Sequence, residues 1–103
     1  MDKEQAIIKV SEFIEAIESK YHPQKVVLFG SYAKGTYTQN SDIDVAVIVD
    51  EIHGDFLEET QGLYKIRRKI DLSIKPVLLE IKNDNSRFLE EIIATGEVLY
   101  TVS

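Results

Sequence analysis

The chain has 103 residues and a formal net charge of −6, from 12 basic and 18 acidic side chains. A chain of this length supports one modest core and excludes a separate large substrate-binding lobe. Its 44% hydrophobic and 29% charged residues are typical of a globular protein rather than a disordered or fibrous one. We therefore expect a single domain over residues 1–103, and the net acidity argues against binding of bulk nucleic acid.

The composition also predicts the compartment. The chain has no cysteine, which excludes disulfides, thiolate metal sites and a cysteine nucleophile and favours a reducing environment. Its first residues, Met-Asp-Lys-Glu-Gln, differ from the basic start of a signal peptide, and no apolar run reaches the ~18 residues of a membrane span. These features predict a cytoplasmic protein with no membrane partner.

Hydrophobic periodicity and turn residues predict eight elements. Asp2 is expected to cap the first helix, with Gln5 completing a capping box, and the near-continuous apolar half of 42–49 predicts a central strand covered on both faces. The predicted elements are helix 2–21, strand 26–29, a short helix within 30–40, strand 42–49, helix 55–69, strand 70–77, a helix through 88–93 closed by Gly96, and strand 98–102. A polar turn over 83–86 precedes the last helix. This order predicts an α/β (α+β) fold with helices packed on a small sheet.

Two carboxylates stand at the start of the central strand. Asp42 and Asp44 are two residues apart, so their side chains project from one face about 6 to 7 Å apart. Such a pair on an apolar strand is costly unless a cation lies between the carboxylates, which indicates a divalent-metal site. The alternative is a solvated start of a strand, which accounts for most isolated Asp-x-Asp triplets. An EF-hand loop is excluded because Ala46 stands at its next ligand position.

Two further segments complete the candidate site. Gly30 follows a predicted buried strand and opens a tight segment with Ser31, an arrangement that lets backbone N–H groups and a hydroxyl approach phosphate oxygens, although Gly-Ser is also common in ordinary turns. A Walker A loop is excluded because Thr36 replaces its lysine. Asp71, in the alternating strand 70–77, is a third carboxylate that would converge with the first two on Mg²⁺ or Mn²⁺ if the strands are neighbours, or is simply solvated.

The spacing of these residues resembles that of a known superfamily. Gly30-Ser31 followed, after ten intervening residues, by Asp42-Ile43-Asp44 is similar to the motif of the DNA polymerase β-like nucleotidyltransferases, and the short length resembles their minimal nucleotidyltransferase (MNT) branch. The resemblance implies a mixed four-stranded sheet with helices packed on it. It also implies transfer of a nucleoside monophosphate from an NTP to a hydroxyl, with release of pyrophosphate.

The resemblance further implies a role for each residue. Gly30, Ser31 and Lys34, a lysine where many relatives carry arginine, would bind the triphosphate. Asp42 and Asp44 would ligate two metal ions. Asp71 would complete the acceptor-side metal or take the acceptor proton.

Members of the MNT branch are often paired with a helical HEPN toxin, which the MNT antitoxin adenylylates with ATP. The resemblance therefore implies a HEPN partner and a homo- or hetero-oligomer, because this chain is too short to build its own acceptor-binding domain. A non-catalytic module that neutralises a partner by occlusion, and a small-molecule nucleotidyltransferase of the aminoglycoside-modifying type, are the alternatives.

Overall fold

The computed structural model describes residues 1–83 and 87–102, so residues 84–86 of the predicted polar turn lie outside the described residues. Within the described residues the eight predicted elements occur in the predicted order. They are α1 Lys3–Tyr21, β1 Lys25–Phe29, α2 Ser31–Lys34, β2 Ile43–Val49, α3 Phe56–Arg67, β3 Ile74–Glu80, α4 Phe88–Thr95 and β4 Glu97–Thr101. None of the described helices has the length and apolar content needed to cross a membrane.

Local sequence explains how α1 begins and ends. Asp2 accepts a hydrogen bond from the Gln5 backbone N–H (2.8 Å), and the Gln5 side chain accepts one from the Asp2 backbone (3.0 Å), which confirms the predicted capping box. At the other end His22 adopts a left-handed conformation (φ 48°) and its N–H donates to the Glu18 carbonyl, so the helix stops before Pro23.

The four strands form one mixed sheet in the order β3-β2-β1-β4. β2 runs parallel to β3 and antiparallel to β1, and β1 is also antiparallel to β4. The predicted mixed four-stranded sheet is therefore confirmed.

The central strand β2 is covered on both faces, as predicted. Its residues Val45 and Val47 pack in the main core, to which α1 and α3 contribute buried side chains. Its residues Ala46 and Ile48 face the other way and pack with Ile92 of α4. Because side chains alternate along a strand, Asp44 and Asp42 lie on the same face as Ala46.

The prediction for the third strand is wrong in its first half. Residues 68–73 form turns, and β3 begins at Ile74 and continues to Glu80. The Arg67 guanidinium donates to the carbonyls of Leu72 (2.7 Å) and Ile74 (2.9 Å), and the Asp71 carboxylate accepts from the Ser73 N–H (2.8 Å). These side-chain contacts hold a turn through a segment whose alternating sequence is typical of a strand.

Candidate active site

The carboxylate pair lies at the open half of one face of the sheet. Asp42 is exposed and directly precedes β2, and Asp44 is half-buried within it. Two residues further on, Ala46 is fully buried under the layer to which α4 contributes Ile92. The same face of β2 thus changes from a polar, accessible half to an apolar, covered half.

Neighbouring strands place one aromatic ring and one cation beside Asp44. Phe29 of β1 is its antiparallel partner, and Lys75 of β3 is its parallel partner. Burial raises the pKa of the Asp44 carboxyl, the charge of Lys75 opposes the rise, and the charge of Asp42 adds to it. The Asp44 carboxylate is therefore a half-buried anion that nearby protein charges only partly compensate.

Gly30 brings the backbone against this carboxylate. It connects β1 to α2 with φ 72° and ψ −149°, a conformation that L side chains rarely adopt. A Cβ built at Gly30 would collide with the Asp44 carboxylate, whose Cγ would lie 3.1 Å away. The turn can therefore pack directly against the carboxylate only because residue 30 has no side chain.

The other predicted phosphate-binding residues follow directly in α2. Ser31 is its half-buried first residue and Lys34 is its exposed last residue. The Gly30 carbonyl accepts a hydrogen bond from the Lys34 N–H (3.0 Å), which closes the single turn of helix. The structure thus brings Gly30, Ser31 and Asp44 to one place at the end of β1.

Asp71 is not brought into a group with the other two carboxylates. Its carboxylate accepts the Ser73 N–H, and it lies close enough to Tyr32 to contribute to the raised pKa of that hydroxyl, after burial, Tyr37 and Asp2. Within residues 1–83 and 87–102 no three acidic, histidine or cysteine side chains are arranged to hold a metal ion. The expected convergence of three carboxylates is therefore absent there, and the role of Asp71 stays a prediction.

The residues present suit a divalent ion. Asp42 and Asp44 supply hard carboxylate oxygens of the kind that Mg²⁺ and Mn²⁺ prefer. The half-buried charge of Asp44, which nearby protein charges only partly compensate, favours binding of a cation. Sequence reasoning found these residues but missed Lys75 and Phe29, because their place beside Asp44 depends on strand register.

A separate cleft of about 370 Å³ lies at the other end of β2, where Val49 and Asp50 contribute to its lining together with His22 and His53. It contains none of the predicted site residues. We therefore place the candidate site at the accessible carboxylate pair and not in this cleft.

Comparison with known proteins agrees with this fold. A relative from Methanocaldococcus jannaschii, named as a candidate protein adenylyltransferase, is 38% identical over 104 residues and covers 97% of this chain and 100% of its own length. A solved structure of a candidate nucleotidyltransferase from Sulfolobus solfataricus superimposes with a TM-score of 0.72 at 18% identity, covering 96% of this chain and 83% of that one.

A second solved structure is similar in fold. It contains the tri-AMPylated HEPN toxin of Shewanella oneidensis in complex with the MNT antitoxin, and it matches with a TM-score of 0.57 at 19% identity, covering 97% of this chain and 73% of that one. Residues 11–103 also match the family described as Polymerase beta, Nucleotidyltransferase. The chain therefore belongs to the polymerase β nucleotidyltransferase family.

Proposed function

We propose that this nucleotidyltransferase transfers AMP from ATP to a hydroxyl of a HEPN-type toxin and so acts as its antitoxin. The observation that carries the proposal is the Asp42–Asp44 pair at the open half of one face of the sheet, with the Gly30 turn packed against Asp44. The relative named as a candidate protein adenylyltransferase and the solved complex with an AMPylated HEPN toxin support the choice of nucleotide and acceptor.

Each residue has a role in this reaction. Gly30 and Ser31 bind the triphosphate through the backbone and the hydroxyl, and the exposed Lys34 adds a positive charge. Asp42 and Asp44 would hold Mg²⁺ or Mn²⁺, which would neutralise phosphate charge and polarise the α-phosphoryl group. The role of Asp71 as a metal ligand remains a prediction from the sequence.

The transfer is an in-line displacement. The acceptor oxygen forms a bond to the α-phosphorus of ATP, the bond from that phosphorus to the oxygen bridging to the β-phosphate breaks, and pyrophosphate leaves. The acceptor proton passes to a nearby base or to water. The reaction needs no covalent enzyme intermediate. The residues around the site therefore need to bind ATP, to align the acceptor oxygen with the α-phosphorus and to exclude competing water.

The open site explains why a protein acceptor suits this chain. Asp42 is exposed and Asp44 is half-buried, whereas Ala46 on the same face is buried against Ile92 of α4. A protein chain can approach such a surface, whereas a small acceptor would gain little contact area there. This accessibility favours a macromolecular acceptor over an aminoglycoside.

The test is transfer of label from [α-³²P]ATP with Mg²⁺ to the protein encoded next to this chain in the genome, which the proposal expects to be of HEPN type. We expect the wild type to label the partner and the variant Asp42→Asn/Asp44→Asn to lose transfer, since amides replace both anionic metal ligands. The matched control Asp55→Asn/Glu58→Gln removes two exposed acidic charges at the start of α3 and should keep transfer.

Toxin neutralisation, measured alongside, distinguishes catalysis from occlusion. Loss of neutralisation in the Asp42→Asn/Asp44→Asn variant supports the catalytic proposal. Equal neutralisation by the wild type and this variant would instead show that the chain neutralises its partner by occlusion. Absence of label transfer by the wild type with each NTP and with both metals would refute the proposed activity.

A further inference from the structure

The strand next to the carboxylates carries a lysine at the level of Asp44. β3 pairs with β2 in parallel register, with Ile43 opposite Ile74 and Asp44 opposite Lys75. Residues in register on neighbouring strands point their side chains to the same face, with backbones roughly 4.8 Å apart. The Lys75 side chain is exposed, and none of the ion pairs within residues 1–83 and 87–102 involves its ammonium.

Lys75 lies on the side of the carboxylates away from the phosphate-binding turn. The sheet order places β1 on one side of β2 and β3 on the other, and Gly30 and Ser31 follow β1 directly. In an in-line displacement the acceptor attacks from the side opposite the leaving pyrophosphate. If the triphosphate binds at Gly30 and Ser31, the acceptor must therefore approach from the β3 side, where Lys75 stands.

This position is also where a second metal ion would need protein oxygens. A two-ion site shares Asp42 and Asp44 between the ions and requires another ligand beside the acceptor. On β3 that place is held by Lys75, whose ammonium donates hydrogen bonds and repels a cation. The nearest acidic residue along the chain, Asp71, directs its carboxylate to the Ser73 N–H.

We propose that the site binds one divalent ion with the nucleotide, and that the Lys75 ammonium stands on the acceptor side of Asp44 in place of a second ion. This inference rests on the proposed function and departs from the two ions that the family resemblance implies. As a cation on the acceptor side, Lys75 attracts the negative charge that develops on the attacking oxygen and on the α-phosphoryl oxygens.

The experiment counts bound metal without turnover. Mn²⁺ is titrated at micromolar concentration into the protein with α,β-methylene-ATP, which cannot be cleaved at the reacting bond, and bound Mn²⁺ is measured by electron paramagnetic resonance. We expect one Mn²⁺ per chain for the wild type and for Lys75→Gln, and two for Lys75→Glu and Lys75→Asp, which supply the missing oxygens. The control Lys9→Glu reverses a charge at a half-buried position of α1 and should bind one.

The outcomes separate this inference from the proposed function. Two Mn²⁺ in the wild-type complex, or one in both folded acidic variants of Lys75, would overturn the inference while adenylyl transfer stands. No bound Mn²⁺ in the wild type would overturn both. Because Lys75 is exposed, all variants are expected to fold, and circular dichroism verifies this before the count.

Discussion

The substitution Gly30→Ala perturbs the contact on which the candidate site depends. Gly30 has φ 72° and ψ −149°, a region of backbone conformation that costs other residues about 1–3 kcal/mol. The added methyl group would also collide with the Asp44 carboxylate. We expect the free energy of unfolding to fall by at least about 1–3 kcal/mol, because the displacement of the carboxylate adds to the backbone strain.

The same substitution should impair chemistry more than folding. Moving a metal-binding carboxylate by about 1 Å costs on the order of 10²-fold in rate when alignment limits the reaction. We therefore expect Gly30→Ala to reduce the initial rate of label transfer on the order of 10²-fold at saturating ATP. Urea unfolding in EDTA gives the stability, and the transfer assay is run at a temperature where both proteins are folded.

Gly35→Ala is the matched control for this prediction. Gly35 also has a positive φ (80°, with ψ 13°), but a Cβ built there meets no heavy atom within 4 Å. The control should lose about 1–2 kcal/mol of stability from the left-handed backbone and keep its transfer rate. If the two variants lose transfer equally, or if Gly30→Ala transfers at the wild-type rate, the inferred role of the Gly30 contact is wrong.

Two further predictions concern stability. The Tyr21 hydroxyl donates to the Glu59 carbonyl (2.8 Å), so Tyr21→Phe should lower the free energy of unfolding by about 1 kcal/mol in urea, and an unchanged value would contradict this. The Ile52 N–H (2.5 Å) and the Asn83 side chain hold the pKa of the Glu80 carboxyl below its usual value. The resulting stability is present above the unfolded-state pKa and is lost as the pH falls through the folded-state pKa. Glu80→Gln should therefore flatten the acid side of the stability profile, and an unaltered slope would refute this.

The parts of the fold that sequence predicted well are those set by local pattern. The helix α1 has apolar residues at helical spacing and a capping box at Asp2, and both features are read within a few residues. The strand β2 has an apolar run long enough to indicate burial on both faces. The start of β3 was missed because the Arg67 side chain reaches forward to the carbonyls of Leu72 and Ile74, which alternation does not encode.

The residues of the candidate site also fall into those that local sequence predicts and those that depend on strand pairing. Asp42 and Asp44 could be found from sequence because a spacing of two places them on one face of any strand. Lys75 could not, because its distance from Asp44 depends on which strands pair and in what register. Asp71 was expected to converge with the pair if strand 70–77 lies beside the strand of Asp42. β3 does pair with β2, but it begins at Ile74, so Asp71 lies before the strand and its carboxylate accepts the Ser73 N–H.

One aromatic contact lies between the buried half and the accessible half of the face of β2 that carries the carboxylates. Phe29 is the β1 partner of Asp44, and its ring meets that of Phe88, the first residue of α4, edge-on at 6.2 Å between centroids. On the C-terminal side of this contact along β2, Ala46 is buried against Ile92 of α4. On the N-terminal side, Asp44 is half-buried and Asp42 is exposed. Burying unpaired carboxylates under a helix is costly. If α4 also covered Asp42 and Asp44, it would disfavour the ionised carboxylates that the proposed metal ion needs. The position of the Phe29–Phe88 contact thus lets one strand contribute both to the core and to the site.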